Sequence, residues 1–175
     1  AAGITLTGSV DDAWAAIEPG WKLVNPTLPA AEGLLLEGWG PPANDWLVMI
    51  ITREPREQMP EPEAFEWHQQ GFQQALNALE QGNELVAIVN NGRAMAAITG
   101  DMVGRQIAND ASIYGARGAG ISGSGPAVVI FIPVNLQTSF DRMFKIFEEK
   151  EGHDVIETKV LNPIEEEVDG PDIED

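Results

Sequence analysis

The most unusual feature of the sequence is the glycine-rich stretch GAGISGSGP, Gly118 to Pro126, which leads into the apolar run VVIFI, residues 128–132. Five glycines and two serines lie between Gly115 and Gly125. Glycine lacks Cβ and tolerates a positive φ, so this segment can turn sharply and point its N–H groups at an anion. P-loops and dinucleotide-binding motifs place their glycines before a helix, whereas a strand follows here, which excludes both. Two interpretations remain: a tight hairpin turn alone, and a turn that also binds a ligand.

The segments on either side of this stretch predict separate groups of strands and helices. Apolar runs predict strands at Trp21–Val24, Leu34–Leu36, Trp46–Thr52, Ala127–Pro133 and Asp154–Val160. Helical spacing of apolar residues predicts helices at residues 63–81, 84–98, 101–114 and 138–149. This order predicts an α+β fold with a largely antiparallel sheet packed by helices, and not a doubly wound fold.

A second informative segment lies near the start of the chain. Gly3 to Thr7 alternates as a strand does, and the chain begins there without a methionine, which predicts a truncated chain. Ser9 and Asp12 have the spacing of a capping box at the start of a short helix. Adjacent helical residues point about 100° apart, so Asp12 can cap this helix while Asp11 faces a different surface.

The composition excludes several classes of function. The chain has no cysteine and two histidines, which excludes disulfides, thiolate chemistry and a histidine-rich metal site, so we predict no metal bound by the protein itself. A net charge of -18 repels phosphate backbones and makes nucleic acid an unsuitable partner. No apolar run approaches the ~20 residues that span a bilayer. These features predict a soluble cytoplasmic protein that binds neither nucleic acid nor membrane.

Two motifs give the sequence a resemblance to a known superfamily. The segment from Gly120 to Ala127 resembles the third motif of the GHMP kinases, a glycine-rich turn between two strands beside the phosphoryl-transfer site. The segment from Gly8 to Ala13 resembles the place where mevalonate-type members carry a catalytic aspartate at a helix start. Thr5 to Gly8 is similar to archaeal shikimate kinases. The two matches lie more than a hundred residues apart, in the order that the superfamily has.

The resemblance implies a domain organisation. Residues 1–24 would be a remnant of the catalytic N-terminal domain, residues 25–162 the ferredoxin-like C-terminal domain, and residues 163–175 an acidic disordered tail. The first glycine-serine motif of the superfamily, which wraps the ATP phosphates, would lie upstream of Ala1. ATP binding would therefore need a missing N-terminal half or a second polypeptide, and this chain alone would be inactive.

The resemblance also implies a site and a reaction, the ATP- and Mg²⁺-dependent phosphorylation of a hydroxyl of shikimate. Asp11 takes the position of the catalytic base. The loop that binds substrate or phosphate comprises Gly120, Ser122, Gly123, Ser124 and Gly125. A carboxylated substrate needs a cationic partner, for which bidentate arginine is suited. The candidates are Arg53, Arg56, Arg93 and Arg117.

Two other functions fit the same residues. A homoserine kinase has a nearly identical third motif, although an aspartate at position 11 after Thr7 and Gly8 favours shikimate. A protein of a different class, a non-catalytic ferredoxin-like module that binds a small ligand or a partner chain, would also need a glycine-rich hairpin.

Overall fold

The computed structural model describes residues 14, 17–25, 28, 30–55, 60–123, 125–150 and 152–162. They form two compact units, one containing the described residues up to Gly40 together with Leu161 and Asn162, and one containing those from Pro41 to Val160. The predicted first strand and capping box and the predicted disordered tail at residues 163–175 lie outside the described residues.

The smaller unit contains a two-stranded antiparallel sheet. Strand β1, Trp21–Val24, pairs with strand β2, Leu34–Gly38, and the register shifts between Leu23 and Val24. Both strands were predicted, and β2 continues two residues beyond its predicted end. A Cβ atom at Gly38 would lie 2.6 Å from the Trp21 ring, so the indole packs on the bare backbone of the neighbouring strand.

The larger unit contains a four-stranded antiparallel sheet. Its strands are β3 (Trp46–Arg53), β4 (Gly118–Ile121), β5 (Val128–Pro133) and β6 (His153–Thr158). Their order across the sheet is β4-β5-β3-β6. With helices between β3 and β4 and between β5 and β6, the connectivity is the β-α-β-β-α-β pattern of ferredoxin-like folds. The predicted α+β fold with an antiparallel sheet is confirmed.

Five α-helices belong to the larger unit: α1 (Pro62–Trp67), α2 (Gln69–Glu80), α3 (Glu84–Thr99), α4 (Met102–Ile113) and α5 (Gln137–Glu148). Predictions for α3, α4 and α5 are correct to within one residue at each end. The prediction of one helix over residues 63–81 is wrong, because the chain leaves helical geometry at His68, where φ is -108° and ψ is 13°. The spacing of apolar residues indicates which face of a helix is buried. It does not show where a single residue interrupts the helix.

One face of the larger sheet forms the main core with α4 and α5. Side chains along β3 and β5 alternate between the two faces of the sheet, and the core residues of both strands lie on the same face. Members of this core are Met49, Ile51, Val128, Ile130 and Ile132 from the strands, Ile107 and Ala111 from α4, and Phe140, Met143 and Phe147 from α5. Burying each large apolar side chain contributes about 1.5–3 kcal/mol, so this layer dominates the stability of the unit.

No helix in the described part of the chain combines the length and the apolar character needed to cross a bilayer.

His153 is partly buried at the start of β6. Its ring centroid lies 6.5 Å from that of Phe147, and its buried Nδ1 has no hydrogen-bond partner in the described part of the chain. Burial lowers the pKa of His153 below 6.5, and the positive charges of Lys150 and Arg53 lower it further. The folded protein therefore favours the neutral imidazole.

We expect His153 to destabilise the fold as the pH falls below about 6.5. Because its folded-state pKa is lowered, the unfolded state binds the proton first, and stability present at higher pH is lost on acidification. The free energy of unfolding, measured with urea at about pH 7.5 and about pH 5.5, should fall less for His153→Gln than for the wild type. An equal fall in both proteins would contradict this expectation.

Candidate functional site

The glycine-rich stretch forms a hairpin turn between β4 and β5. Ile121 pairs with Val128, the Ser122 N–H donates to the Ala127 carbonyl at 2.8 Å, and the Gly125 N–H donates to the Ser122 carbonyl at 2.8 Å. Gly123 and Gly125 have φ values of 54° and 81°, which side chains disfavour. The predicted hairpin is confirmed, and these glycines are required by its backbone.

The tip of this turn presents polar groups to solvent. Ser122 and Gly123 are exposed, and among the described residues other than its chain neighbours no atom lies within 4 Å of the position that a Cβ at Gly123 would occupy. Within the described residues, the Gly123 N–H and the Ser122 hydroxyl form no hydrogen bond. An open amide next to an open hydroxyl can bind an anionic oxygen. Ser124, also predicted for this loop, lies outside the described residues.

Gly120 has a different environment from the glycines of the turn. It is buried against α3, where an added Cβ would lie 2.5 Å from the Ile88 carbonyl oxygen. On the helix side, a Cβ at Gly92 would lie 2.5 Å from the Gly120 Cα and 2.7 Å from the Ile121 nitrogen. These two glycines therefore allow the helix backbone to rest directly on the edge strand that leads into the turn.

Arg53 links the far side of the turn to the start of α4. Its Nε donates to the Pro126 carbonyl at 2.9 Å, its Nη1 to Asp101 Oδ1 at 2.9 Å, and its Nη2 to both Asp101 Oδ2 and the Pro126 carbonyl. Asp101 also caps α4 by accepting the Gly104 N–H at 2.8 Å. The Arg53 and Asp101 side chains are 10% and 11% exposed, so this ion pair is largely shielded from water.

Two arginines lie over a small cleft between α3 and α4. Arg93 and Arg105 line a cavity of about 20 Å³ whose wall includes Gly120 and Asn109. In the described part of the chain, neither guanidinium forms an ion pair or a hydrogen bond, and both are exposed. Neighbouring like charges repel, and guanidinium groups pair bidentately with carboxylates and phosphates. A cavity with room for one or two water-sized groups suits the charged end of a ligand.

The other predicted arginines lie elsewhere. Arg117 precedes β4 at the end remote from the turn, and its backbone N–H donates to the Phe131 carbonyl at 2.9 Å. A strand of this length separates Arg117 from the turn by about 13 Å. Arg56 and the predicted base Asp11 lie outside the described residues. Arg105 was not predicted, because its proximity to Arg93 depends on how two helices pack.

The donors of the turn fit a phosphoryl group or a substrate oxygen, since they are an amide and a hydroxyl. Among the residues that the structure describes, no group of three or more histidine, aspartate or glutamate side chains could hold a metal ion.

Several solved structures resemble this chain in fold, and two of them match about nine-tenths of it. One, from Listeria monocytogenes and assigned as a homoserine kinase, is 20% identical with a TM-score of 0.50, over 91% of this chain and 56% of that protein. The other, a homoserine kinase from Cytophaga hutchinsonii, is 20% identical with a TM-score of 0.56, over 90% of this chain and 54% of that protein. This chain spans just over half the length of either protein. At this identity, the likeness shows the fold alone.

No protein-family model matches the chain, and no curated protein matches it.

We expect Gly92→Ala to destabilise the protein although alanine is the better helix former. Helix propensity favours alanine over glycine by about 1 kcal/mol. The added methyl group, however, would lie 2.5 Å from the Gly120 Cα, so α3 must move away from β4. Such overpacking costs about 1–3 kcal/mol. Urea unfolding measures the net loss, and Val86→Ala, at an exposed position of the same helix, should change stability by less than about 0.5 kcal/mol. A stabilised Gly92→Ala protein would contradict this close approach.

Proposed function

We propose that this chain is part of an ATP-dependent kinase of the GHMP type, which phosphorylates a hydroxyl of a small carboxylated metabolite. The observation that carries the proposal is the β4–β5 turn, whose exposed Gly123 amide and Ser122 hydroxyl lie at the end of a strand that also borders the Arg93–Arg105 cleft. The fold shared with two homoserine kinases supports the same class of reaction.

Phosphoryl transfer requires the reactants to be positioned and the negative charge to be stabilised. The turn donors would orient the transferred group or the hydroxyl that receives it, and the Arg93 and Arg105 guanidiniums would bind the carboxylate. Asp11, by its resemblance to the catalytic aspartate, would accept the hydroxyl proton. ATP would supply the phosphoryl group and Mg²⁺ would offset its charge.

Shikimate is the substrate that we propose first. The sequence from Thr5 to Asp12 supports it, because this segment resembles archaeal shikimate kinases. Homoserine is the second candidate, since two of the solved structures that this chain resembles in fold are named as homoserine kinases. Both substrates carry a carboxylate and a hydroxyl, so the Arg93–Arg105 cleft fits either.

We also propose where the ATP-binding segment comes from and where the enzyme works. The superfamily motif that wraps ATP would be contributed by a further part of the same polypeptide or by a second chain. The reaction would take place in the cytoplasm, where ATP is supplied.

The complete encoded polypeptide should phosphorylate shikimate or homoserine in the presence of ATP and Mg²⁺. We expect Asp11→Asn to lower kcat by about 100-fold or more, since general base catalysis contributes about 10²–10⁴-fold. Asp12→Asn is the matched control, because Asp12 is predicted to cap the helix and should leave kcat within about threefold. Absence of turnover on both substrates would contradict the kinase proposal, and an active Asp11→Asn protein would remove Asp11 from the mechanism.

Arg93→Met and Arg105→Met should each raise the KM for the carboxylated substrate by about tenfold or more, because hydrogen bonds to charged groups are worth about 1.5–3 kcal/mol. The KM for ATP should change little. Steady-state kinetics with each substrate varied in turn makes the comparison. The control Arg142→Met removes the same charge from an exposed arginine that lies 5.8 Å from the Tyr114 ring. Equal KM values in all four proteins would exclude this cleft as the carboxylate site.

A further inference from the structure

We infer that Arg53 is a positioning residue, which fixes the β4–β5 turn relative to the start of α4, and that it is not a ligand of the substrate carboxylate. The catalytic consequence of this inference rests on the proposed kinase function, whereas its structural part can be tested alone.

The hydrogen bonds of Arg53 leave it little capacity for a ligand. A guanidinium has five N–H donors. Within the described part of the chain, Arg53 forms four hydrogen bonds, two to the Asp101 carboxylate and two to the Pro126 carbonyl. With a side chain only 10% exposed, Arg53 is also poorly accessible to a solute. The exposed Arg93 and Arg105 are therefore better candidates than Arg53 for binding the substrate carboxylate.

The placement of Arg53 follows from the register of the sheet. Ile51 pairs with Val128, so two residues further along antiparallel strands Arg53 comes opposite Pro126. The regular pairing ends at Ile51. Beyond it, the side chain of Arg53 binds the carbonyl at the end of the turn, in place of a further backbone hydrogen bond.

Asp101 gives this contact its rigidity. Its carboxylate accepts from the Arg53 guanidinium in a bidentate pair and from the Gly104 N–H at the first turn of α4. A bidentate pair fixes orientation as well as distance. The carbonyl of Pro126 is thereby tied to a helix end, and this contact holds the turn that carries the Ser122 hydroxyl and the Gly123 amide in one position.

The contacts of Arg53 affect the proposed reaction because they fix the position of the β4–β5 turn. Between its described residues, the turn contains two internal backbone hydrogen bonds, from Ser122 to Ala127 and from Gly125 to Ser122. These bonds shape the turn but do not fix its position relative to the rest of the unit. A displacement of about 1 Å at a reacting centre can lower the rate about 100-fold.

The test uses Arg53→Met in the complete encoded polypeptide, with Arg142→Met as the control for loss of one positive charge. Hydrogen exchange, read by NMR, is measured at the Ser122 and Gly125 amides. Exchange at both should accelerate about tenfold or more in Arg53→Met and stay at the wild-type rate in the control. Asp101→Ser, which keeps a side-chain cap for Gly104 while removing the carboxylate, should produce the same change, and it replaces Arg53→Met if that protein does not fold.

Kinetics provide the second readout. Arg53→Met should lower kcat about 100-fold and change the KM for the carboxylated substrate less than about threefold, and Arg53→Lys should recover part of the loss. A large rise in KM with kcat unchanged would show that Arg53 binds substrate and would overturn the inference. Unaltered exchange at Ser122 and Gly125 in both Arg53→Met and Asp101→Ser would overturn it as well. If the wild type has no kinase activity, the proposed function fails, and the exchange measurement alone decides the role of Arg53.

Discussion

The antiparallel pairing of β3 with β5 is the constraint on which the larger unit depends. It joins two apolar strands at the centre of the sheet and directs Met49, Ile51, Val128 and Ile130 to the face covered by α4 and α5. A slip of one residue would turn these side chains to the opposite face. The register that buries the core also brings Arg53 opposite Pro126, so packing and the position of the turn are set together.

Glycine has two separate functions around the candidate site. At Gly123 and Gly125 it permits a left-handed backbone in the turn. At Gly92 and Gly120 the backbone angles are ordinary, and the missing side chains let a helix and a strand touch. A single sequence pattern, Gly-x-x-Gly-x-Gly over residues 120–125, therefore combines a packing position with two turn positions.

The positive charges of Arg93 and Arg105 make their cleft suitable for an anionic ligand. A protein with a net charge of -18 repels anions at long range, and any anionic ligand must be held by local cations. Several of the basic side chains in the described residues already have partners, such as Lys22 with Glu18 and Arg53 with Asp101. Arg93 and Arg105 have none in that part of the chain, and they share one cavity.

The sequence by itself was enough to predict β1, β2, β3, β5 and β6, four helical segments, the antiparallel α+β class and the hairpin turn, because periodicity and glycine content are local properties. It could not reveal the break at His68, which leaves the apolar spacing intact. The tertiary structure alone decided that Gly120 is a packing residue, that Arg53 binds Asp101 and Pro126, and that Arg105 joins Arg93. These contacts connect residues far apart in the chain, such as Arg53 and Pro126, 73 positions apart, so no local pattern encodes them. They arise only when strand register and helix packing are fixed.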